Sequence, residues 1–273
     1  MSSLLTFVIP VRHHKNAHDW GGVKRRLSET ILSVAQQQEG CSWKAVIVAN
    51  SGADLPELPP RFEIAYVDFP PNDLYMRWSD YSDDEVHEAV RRDKGRRVLV
   101  GMLHARDSEY FMVDDDDLVS RDLVSFVSQH VGENGWYVDE GYVWTDGGLL
   151  LCLVPNFFLI CGSSHIVRSD LYRLPATIEG ADDVYVQRVL GAHVFLRGHF
   201  EQAGTPLSRL PFAGAVYRSG HAESHSRSRG ILRGQLLRKR ILKSPAELCR
   251  RVLGVRIRSK RLEREFFGAS VTR

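Results

Sequence analysis

The feature that most restricts the fold is a series of short, continuous apolar runs separated by a segment with helical spacing. The first run, residues 4–9, ends at Pro10; the second, residues 44–49, ends at a turn; the third, residues 109–113, ends in acidic residues. Between the first two runs, residues 23–38 place apolar side chains on one face of a helix. Strands that are apolar along their whole length are typical of parallel sheets covered by helices. The sequence therefore predicts an α/β fold with a mainly parallel central sheet flanked by helices.

The rest of the chain predicts shorter elements and a small antiparallel portion. These are a strand at 62–67, a helix at 96–106, a helix from Ser120 to about His130, antiparallel strands at 136–144 and 149–160 around the turn Asp146-Gly147-Gly148, and a helix at 182–190. Residues 74–93 are polar and acidic and fit no element. In a sheet of this kind ligands bind beyond the carboxyl ends of the strands, so that edge is where chemistry is expected.

Four consecutive aspartates, Asp114 to Asp117, follow the run at 109–113 and therefore stand where a buried strand ends. Adjacent carboxylates repel one another, and packing them together costs stability unless a cation neutralises them. Mg²⁺ and Mn²⁺ prefer carboxylate oxygen and commonly bridge to phosphates. The alternative is a solvated acidic loop ahead of the helix that starts near Ser120. We favour the metal site, because the apolar run places the acidic residues at the mouth of the sheet.

Four segments, taken in order, resemble the family-two glycosyltransferases of GT-A fold. They are residues 5–12 (LTFVIPVR), 32–36 (LSVAQ), 46–52 (VIVANSG) and 110–118 (YFMVDDDDL). The family pattern is a first strand that ends in Pro, a helix that ends in Ser-Val-x-x-Gln, a second strand that ends in an acidic turn, and an Asp-x-Asp-Asp metal motif. The resemblance covers about the first 130 residues and extends more loosely to residue 225. It implies a Rossmann-like GT-A sheet.

The resemblance also implies a site for a nucleotide-sugar donor, with a UDP-sugar favoured, and Mn²⁺ or Mg²⁺ as cofactor. The donor residues it assigns are Pro10, Val11 and Arg12 at the base, Asn50 where the family has an acidic residue, Lys94 and Arg96 near the phosphates, Asp114 at the ribose, and Asp115 next to it. The metal ligands it assigns are Asp116, Asp114 and His221, the last from the segment 217–221. Four aspartates in a row leave the register of the metal motif open by one residue.

The catalytic and acceptor residues come from the second half of the resemblance. Residues 180–183 match a later acidic motif, with Asp183 at the position of the base that deprotonates the acceptor hydroxyl in an inverting transfer, and Asp182 beside it. Capping of a helix is the other role for this pair, most simply for Asp182. Trp144 and His165 are acceptor-site candidates, because aromatic faces suit sugar rings; for Trp144 a place in the core is equally expected.

The charge distribution divides the chain into an acidic body and a basic tail. Residues 227–273 hold 15 Lys and Arg against 3 Asp and Glu, a net charge of +12, whereas residues 1–226 carry −10. We expect a glycosyltransferase domain at 1–226, with a nucleotide-binding half at 1–117 and an acceptor half with a lid at 118–226. The helical basic tail at 227–273 either packs on this domain or lies on a membrane surface.

The predicted activity is glycosyl transfer in polysaccharide, glycolipid or glycoprotein assembly, to a glycan or lipid-linked acceptor. A retaining transferase, which would not use Asp183 as base, is one alternative. A non-catalytic protein that binds anionic surfaces on a transferase scaffold is another, and nucleic acid is disfavoured because the tail has only two aromatic residues, Phe266 and Phe267. Four cysteines without metal-site spacing, and no apolar run near the ~20 residues of a membrane span, predict a cytoplasmic protein, peripheral at most on the inner face of the membrane.

Overall fold

The computed structural model describes residues 3–38, 40–113, 116–220 and 251–268 and shows an α/β protein built on two sheets. The strands are β1 (Leu5–Pro10), β2 (Trp43–Asn50), β3 (Phe62–Val67), β4 (Tyr110–Val113), β5 (Leu118–Val119), β6 (Gly135–Tyr137), β7 (Glu140–Thr145), β8 (Leu150–Pro155), β9 (His165–Arg168), β10 (Ser208–Arg209), β11 (Ala215–Ser219) and β12 (Val255–Ile257). The α-helices are α1 (Trp20–Ala35), α2 (Asp73–Met76), α3 (Asp83–His104), α4 (Leu123–Ser128), α5 (Asp183–Tyr185), α6 (His193–Gln202) and α7 (Lys260–Leu262). Single π-helical turns, Val186–Leu190 and Glu263–Phe267, continue α5 and α7.

The larger sheet has seven strands in the order β10-β6-β9-β4-β1-β2-β3. The block β4-β1-β2-β3 is parallel, as the apolar runs predict. Strand β9 lies antiparallel to both β4 and β6 and makes the sheet mixed. The α/β class is therefore confirmed, and the sheet is mixed, with four parallel and two antiparallel pairings.

Strand β1 is an interior strand of this sheet, between β4 and β2, and all six of its residues are buried. Helix α1 packs Leu27, Ile31 and Val34 on one face of the sheet, and α3 packs on the other. Gly101 of α3 makes the second contact close, since a Cβ there would lie 2.5 Å from a methyl carbon of Val8. The two helices leave the carboxyl ends of β1, β2 and β4 uncovered by helix layers at one edge of the sheet.

Three predicted elements have different bounds in the structure. Helix α3 begins at Asp83, thirteen residues before the prediction at 96, because Ser82 and Glu85 form a reciprocal capping box that starts a polar first half. The strand predicted at 136–144 is two strands, β6 and β7, which belong to different sheets. The helix expected from Ser120 begins at Leu123, and the Ser120 hydroxyl accepts a hydrogen bond from the Asp122 N–H.

The smaller sheet has the order β12-β8-β7-β11-β5 and encloses its own apolar cluster. Part of the basic tail belongs to it: β12 pairs antiparallel with β8, and Phe266 is fully buried. The described part of the tail predicted as helical, residues 251–268, thus contains a strand and packs on the body, whereas residues 227–250 and 269–273 lie outside the described residues. Among the described residues, no helix has the length and hydropathy required to cross a bilayer.

Candidate active site

The carboxyl ends of β1, β2 and β4 meet at one edge of the larger sheet, here called the carboxyl edge. It carries Val11 and Arg12 after β1, Asn50 at the end of β2, and Asp116 and Asp117 after β4. Parallel strands that end side by side bring residues from distant parts of the chain together. The strand pairing therefore places the ends of β1, β2 and β4 side by side.

Two narrow pockets open at the carboxyl edge, and Arg12 lines both. The first, of about 30 Å³, lies between the end of β1 and α3 and is also lined by Lys94 and Arg97. The second, of about 20 Å³, lies between β1 and α1 and is also lined by Arg26 and Asp116. Each volume has room for about one water molecule, so a nucleotide would lie across these pockets rather than inside either of them.

The two described aspartates of the acidic motif have different environments. Asp117 is 2% exposed, and its carboxylate accepts hydrogen bonds from Cys161 Sγ at 3.1 Å, Ser163 Oγ at 3.0 Å and the Arg218 N–H at 3.2 Å. Burial, and secondly the charge of Asp116, raises the pKa of Asp117 to about 6. Asp117 therefore anchors the loop from inside, while Asp116 faces a pocket. Asp114, Asp115 and His221 lie outside the described residues.

Helix α1 holds the acidic loop through a buried polar stripe beside its apolar face. The stripe consists of Arg26, Thr30, Ser33 and Gln37, spaced by four, three and four residues. Thr30 Oγ1 donates to the Asp117 carbonyl at 2.9 Å, and Ser33 Oγ donates to the Val119 carbonyl at 3.1 Å. Gln37 donates to the Ser120 carbonyl and accepts from the Val124 N–H. Sequence analysis missed this stripe, although its helical spacing was a readable signal.

Arg218 on β11 is a second group that sequence analysis missed. Its side chain is fully buried; its Nε donates to the Asp116 carbonyl at 3.0 Å, and its guanidinium forms ion pairs with Glu29 and Asp146. It also lies 5.4 Å from the centre of the Trp144 ring. Arg218 therefore ties together α1, the acidic loop and the β7–β8 turn. Nothing in the local sequence marks it, because its partners are 72 to 189 residues away along the chain.

The basic segment before the acidic motif is placed differently from the prediction. Lys94 lines the first pocket, whereas Arg96 is exposed and stacks over the Phe69 ring at 4.7 Å. Arg97 takes the buried position: it is 1% exposed, lines the pocket and forms two hydrogen bonds of 3.0 Å with Asp93. Its Nη1 is buried and has no hydrogen-bond partner among the described residues. The pocket wall thus carries a partly unsatisfied cation.

Only one of the two polar side-chain atoms of Asn50 has a hydrogen-bond partner among the described residues. Its Nδ2 donates to the Phe69 carbonyl at 2.7 Å. Its Oδ1 is buried and finds no partner within the described part of the chain. A buried carbonyl oxygen without a donor is costly, so this amide is available to a ligand that supplies an N–H.

The acidic pair predicted for catalysis lies apart from these two pockets. Asp182 caps α5, because its carboxylate accepts a hydrogen bond from the Tyr185 N–H at 2.8 Å. Helix capping is the alternative role that the sequence suggests for Asp182. Asp183 is exposed in the first turn of α5. Neither residue lines either pocket at the carboxyl edge. Asp182 instead borders a roomier cavity of about 340 Å³ between the loop after β9 and α6. The base role of Asp183 stays a prediction.

The two predicted acceptor residues are both buried. Trp144 is 3% exposed; its indole N–H donates to the Gly148 carbonyl at 2.7 Å, and its ring packs against Phe267. His165 is 3% exposed at the start of β9, with its Nδ1 3.1 Å from Ser164 Oγ. Burial lowers the pKa of His165 to about 3. Neither side chain lines a carboxyl-edge pocket, so their acceptor roles also stay predictions.

No protein-family model matches the chain, and no curated protein is significantly similar to it. In residues 3–38, 40–113, 116–220 and 251–268, no three His, Cys, Asp or Glu side chains are grouped so that they could hold a metal ion. Of the predicted ligands, only Asp116 belongs to these ranges. Function is therefore inferred from the chemistry of the carboxyl edge.

Proposed function

We propose that the protein is a glycosyltransferase of GT-A fold that moves a sugar from a nucleoside-diphosphate donor to a hydroxyl acceptor. The observation that carries this proposal is the composition of the carboxyl edge. Asp116 faces a pocket shared with Arg12 and Arg26, and the adjoining pocket adds Lys94 and Arg97. A carboxylate among cations at the ends of parallel strands suits a diphosphate and its counter-ion.

The residues along this edge support separate roles in charge compensation and in recognition of the base. A nucleoside diphosphate leaves readily only when its growing negative charge is compensated. Arg12, Lys94 and the unpartnered Nη1 of Arg97 would supply part of that compensation. Mn²⁺ or Mg²⁺ held by Asp116, together with the proposed ligands Asp114 and His221, would supply the rest. The Asn50 Oδ1 would accept an N–H from the base, as a uracil ring offers.

The stereochemical course of transfer is proposed as inverting, with Asp183 as base. An acceptor hydroxyl is a poor nucleophile and benefits from a positioned carboxylate. Asp183→Asn is then expected to retain donor binding and lose transfer. Retention of the anomeric configuration in the product, or unchanged turnover by this variant, would remove that role from Asp183 and leave the donor site in place.

Donor binding tests the proposal directly. In a thermal-shift panel of nucleotide sugars, we expect a donor, with UDP-sugars favoured, to raise the melting temperature only when Mn²⁺ is present. Asp116→Ala should abolish that metal-dependent rise without lowering the melting temperature of the protein alone by more than a few degrees. Glu201→Ala, an exposed carboxylate at the end of α6, is the matched control and should behave as the parent. A metal-dependent rise that survives Asp116→Ala would contradict the proposed site.

A further inference from the structure

A group of exposed apolar side chains lies where β8 meets β12. Leu149 is 75% exposed, Leu150 42% and Ile257 72%, and just before β12 Val252 and Leu253 are 54% and 73% exposed. These five residues are called the apolar ridge. Single exposed apolar residues are ordinary on protein surfaces, but a contiguous set marks an interaction site.

The strand pairing brings two residues of the ridge, Leu150 and Ile257, together. Leu150 and Ile257 are directly opposite each other in the antiparallel ladder, so their side chains project from the same face. The Arg258 N–H donates to the Leu149 carbonyl at 2.8 Å, and the Leu153 N–H donates to the Gly254 carbonyl at 2.9 Å. These bonds fix both ends of the ridge against β8. Strand β12 is the outer strand of its sheet within the described residues.

The chain segment 251–262, which forms one side of the ridge, carries charge of one sign. Between 251 and 262 the chain has five basic residues and no acidic one: Arg251, Arg256, Arg258, Lys260 and Arg261. Arg258 is paired with Glu263, and Lys260 and Arg261 are exposed. Apolar side chains that enter the acyl region, flanked by Lys and Arg at the level of the headgroups, are the combination that binds anionic membrane surfaces.

The aromatic residues of this segment argue against nucleic acid as the partner. Binding to single-stranded nucleic acid relies on exposed aromatic faces for stacking. Phe266 is fully buried, and Phe267 packs against Trp144 with Arg258 on its ring at 4.0 Å. The segment therefore offers cations and aliphatic side chains without a stacking platform.

We propose that the apolar ridge and its basic border dock the protein on an anionic phospholipid bilayer. The turn that precedes Leu149 carries Asp146, which pairs with Arg25 at 2.7 Å and with Arg218, the residue that holds the Asp116 carbonyl. Docking would thus bring the carboxyl edge close to the bilayer. That this favours a lipid-linked acceptor rests on the proposed function; the docking itself does not.

Vesicle co-sedimentation of the full chain tests the docking. We expect binding to phosphatidylglycerol-containing vesicles, weak binding to pure phosphatidylcholine vesicles, and release by salt. The double variant Leu149→Glu/Ile257→Glu should weaken binding at least about tenfold, because it removes apolar contacts and places two anions at the headgroups. Lys260→Glu/Arg261→Glu should weaken it similarly and reduce the salt dependence.

Two matched controls separate docking from general effects. Val131→Glu changes an equally exposed apolar residue elsewhere, and Arg92→Glu reverses an exposed charge on α3. Both should bind vesicles as the parent does. Equal binding by the ridge variant and by Val131→Glu would overturn the proposal, as would a parent that ignores anionic vesicles. Loss of a dimer in the ridge variant, without any vesicle binding by the parent, would assign the ridge to a second copy instead. None of these vesicle or dimer results bears on the donor-dependent thermal shift. The docking proposal and the proposed function can therefore each fail without the other.

Discussion

At the scale of single residues, Asp116 and Asp117 show how adjacent identical side chains divide two tasks. Three hydrogen-bond donors hold the Asp117 carboxylate and so fix the position of the loop. Asp116, the residue before it, then lines the pocket. A buried carboxylate with its donors satisfied is a rigid anchor, whereas the same group without them would be costly. Four aspartates in a row leave the register of the proposed metal motif open in the sequence. Because Asp117 is buried and Asp116 lines a pocket, burial favours Asp116 over Asp117 as a ligand in that motif.

Arg218 is predicted to position the acidic loop. Arg218→Lys keeps the charge but loses the planar donor set that reaches both Asp116 and Glu29. We expect a folded protein whose half-saturating Mn²⁺ concentration for donor binding rises about tenfold, equivalent to 1.4 kcal/mol. Arg168→Lys, which changes an arginine paired with Asp170, is the control and should leave that concentration unchanged. Similar values for both variants would show that Arg218 is only structural.

The buried histidines predict how stability depends on pH. Burial lowers the pKa of His165 to about 3 and of His193 to about 4, below the unfolded value near 6.5. As the pH falls from 6.5 toward 4, the unfolded chain binds protons that the folded protein does not, so the free energy of unfolding decreases. Asp117 acts in the opposite direction, because its pKa is raised to about 6 and the folded protein therefore binds a proton there at a pH where the unfolded chain does not. This one proton offsets only part of the effect of the two that the histidines bind in the unfolded chain.

His165→Gln should therefore lose less stability on acidification than the parent does. Between pH 7.5 and 4.5 the difference is expected to be roughly 2 kcal/mol, measured by urea unfolding at both values. His18→Gln, an exposed histidine, should retain the full pH dependence. An unchanged slope in His165→Gln would show that His165 binds protons equally in the folded and the unfolded states.

Residues such as these set the limit of what the sequence predicts about the site. Pro10, Arg12 and Asp116 stand at strand ends that the apolar runs reveal, so their convergence is predictable. Arg218 acts on Asp117 across 101 residues and on Glu29 across 189, and no local pattern encodes such a contact. Arg97 rather than Arg96 lines the pocket because it shares a face of helix α3 with Asp93 and Lys94, which are four and three residues away.

At the scale of elements, predictability follows the strength of the apolar pattern. Strands β1, β2 and β4 are mostly apolar, and their predicted bounds agree with the structure to within one residue at each end. The first half of α3 is polar, so its start depends on a capping box rather than on periodicity. The break between β6 and β7 comes from a change of sheet, which is a tertiary event and leaves the local alternation of residues intact.

The packing of α3 against the π-helical turn after α5 depends on Gly95. A Cβ at Gly95 would lie 2.0 Å from the Val186 carbonyl oxygen, a backbone atom that cannot move aside alone. Gly95→Ala is therefore expected to destabilise the protein by about 1–3 kcal/mol, visible as a lower melting temperature. Gly198→Ala in α6 meets no atom within 4 Å and should be neutral or slightly stabilising. Equal melting temperatures would mean that the two helices do not pack this closely.

At the scale of the whole molecule, the basic tail is joined to the body by more than charge. Its charge asymmetry is evident from the sequence, and the attraction between an acidic body and a basic tail suggests packing in general terms. Which residues enter the core is not evident, because β12 contributes only three residues and pairs with a strand about 100 positions earlier. Residues 251–268 are therefore at once part of the small sheet and the border of the apolar ridge.

This double role predicts that truncation cannot separate the proposed docking of the tail on a bilayer from the stability of the fold. Deleting residues 251–273 removes β12 and the fully buried Phe266 and exposes the cluster around Trp144 and Leu151. Phe266→Ala alone should cost about 3–5 kcal/mol through the cavity it leaves, and the deletion at least as much. Urea unfolding measures both losses, and Leu253→Ala, an exposed residue of the same segment, should stay within about 0.5 kcal/mol of the parent. If the truncated chain unfolds at the same urea concentration as the parent, residues 251–268 do not contribute to the stability of the fold. The apolar ridge would then not be held rigidly enough to meet a bilayer at a fixed angle, as the docking proposal requires.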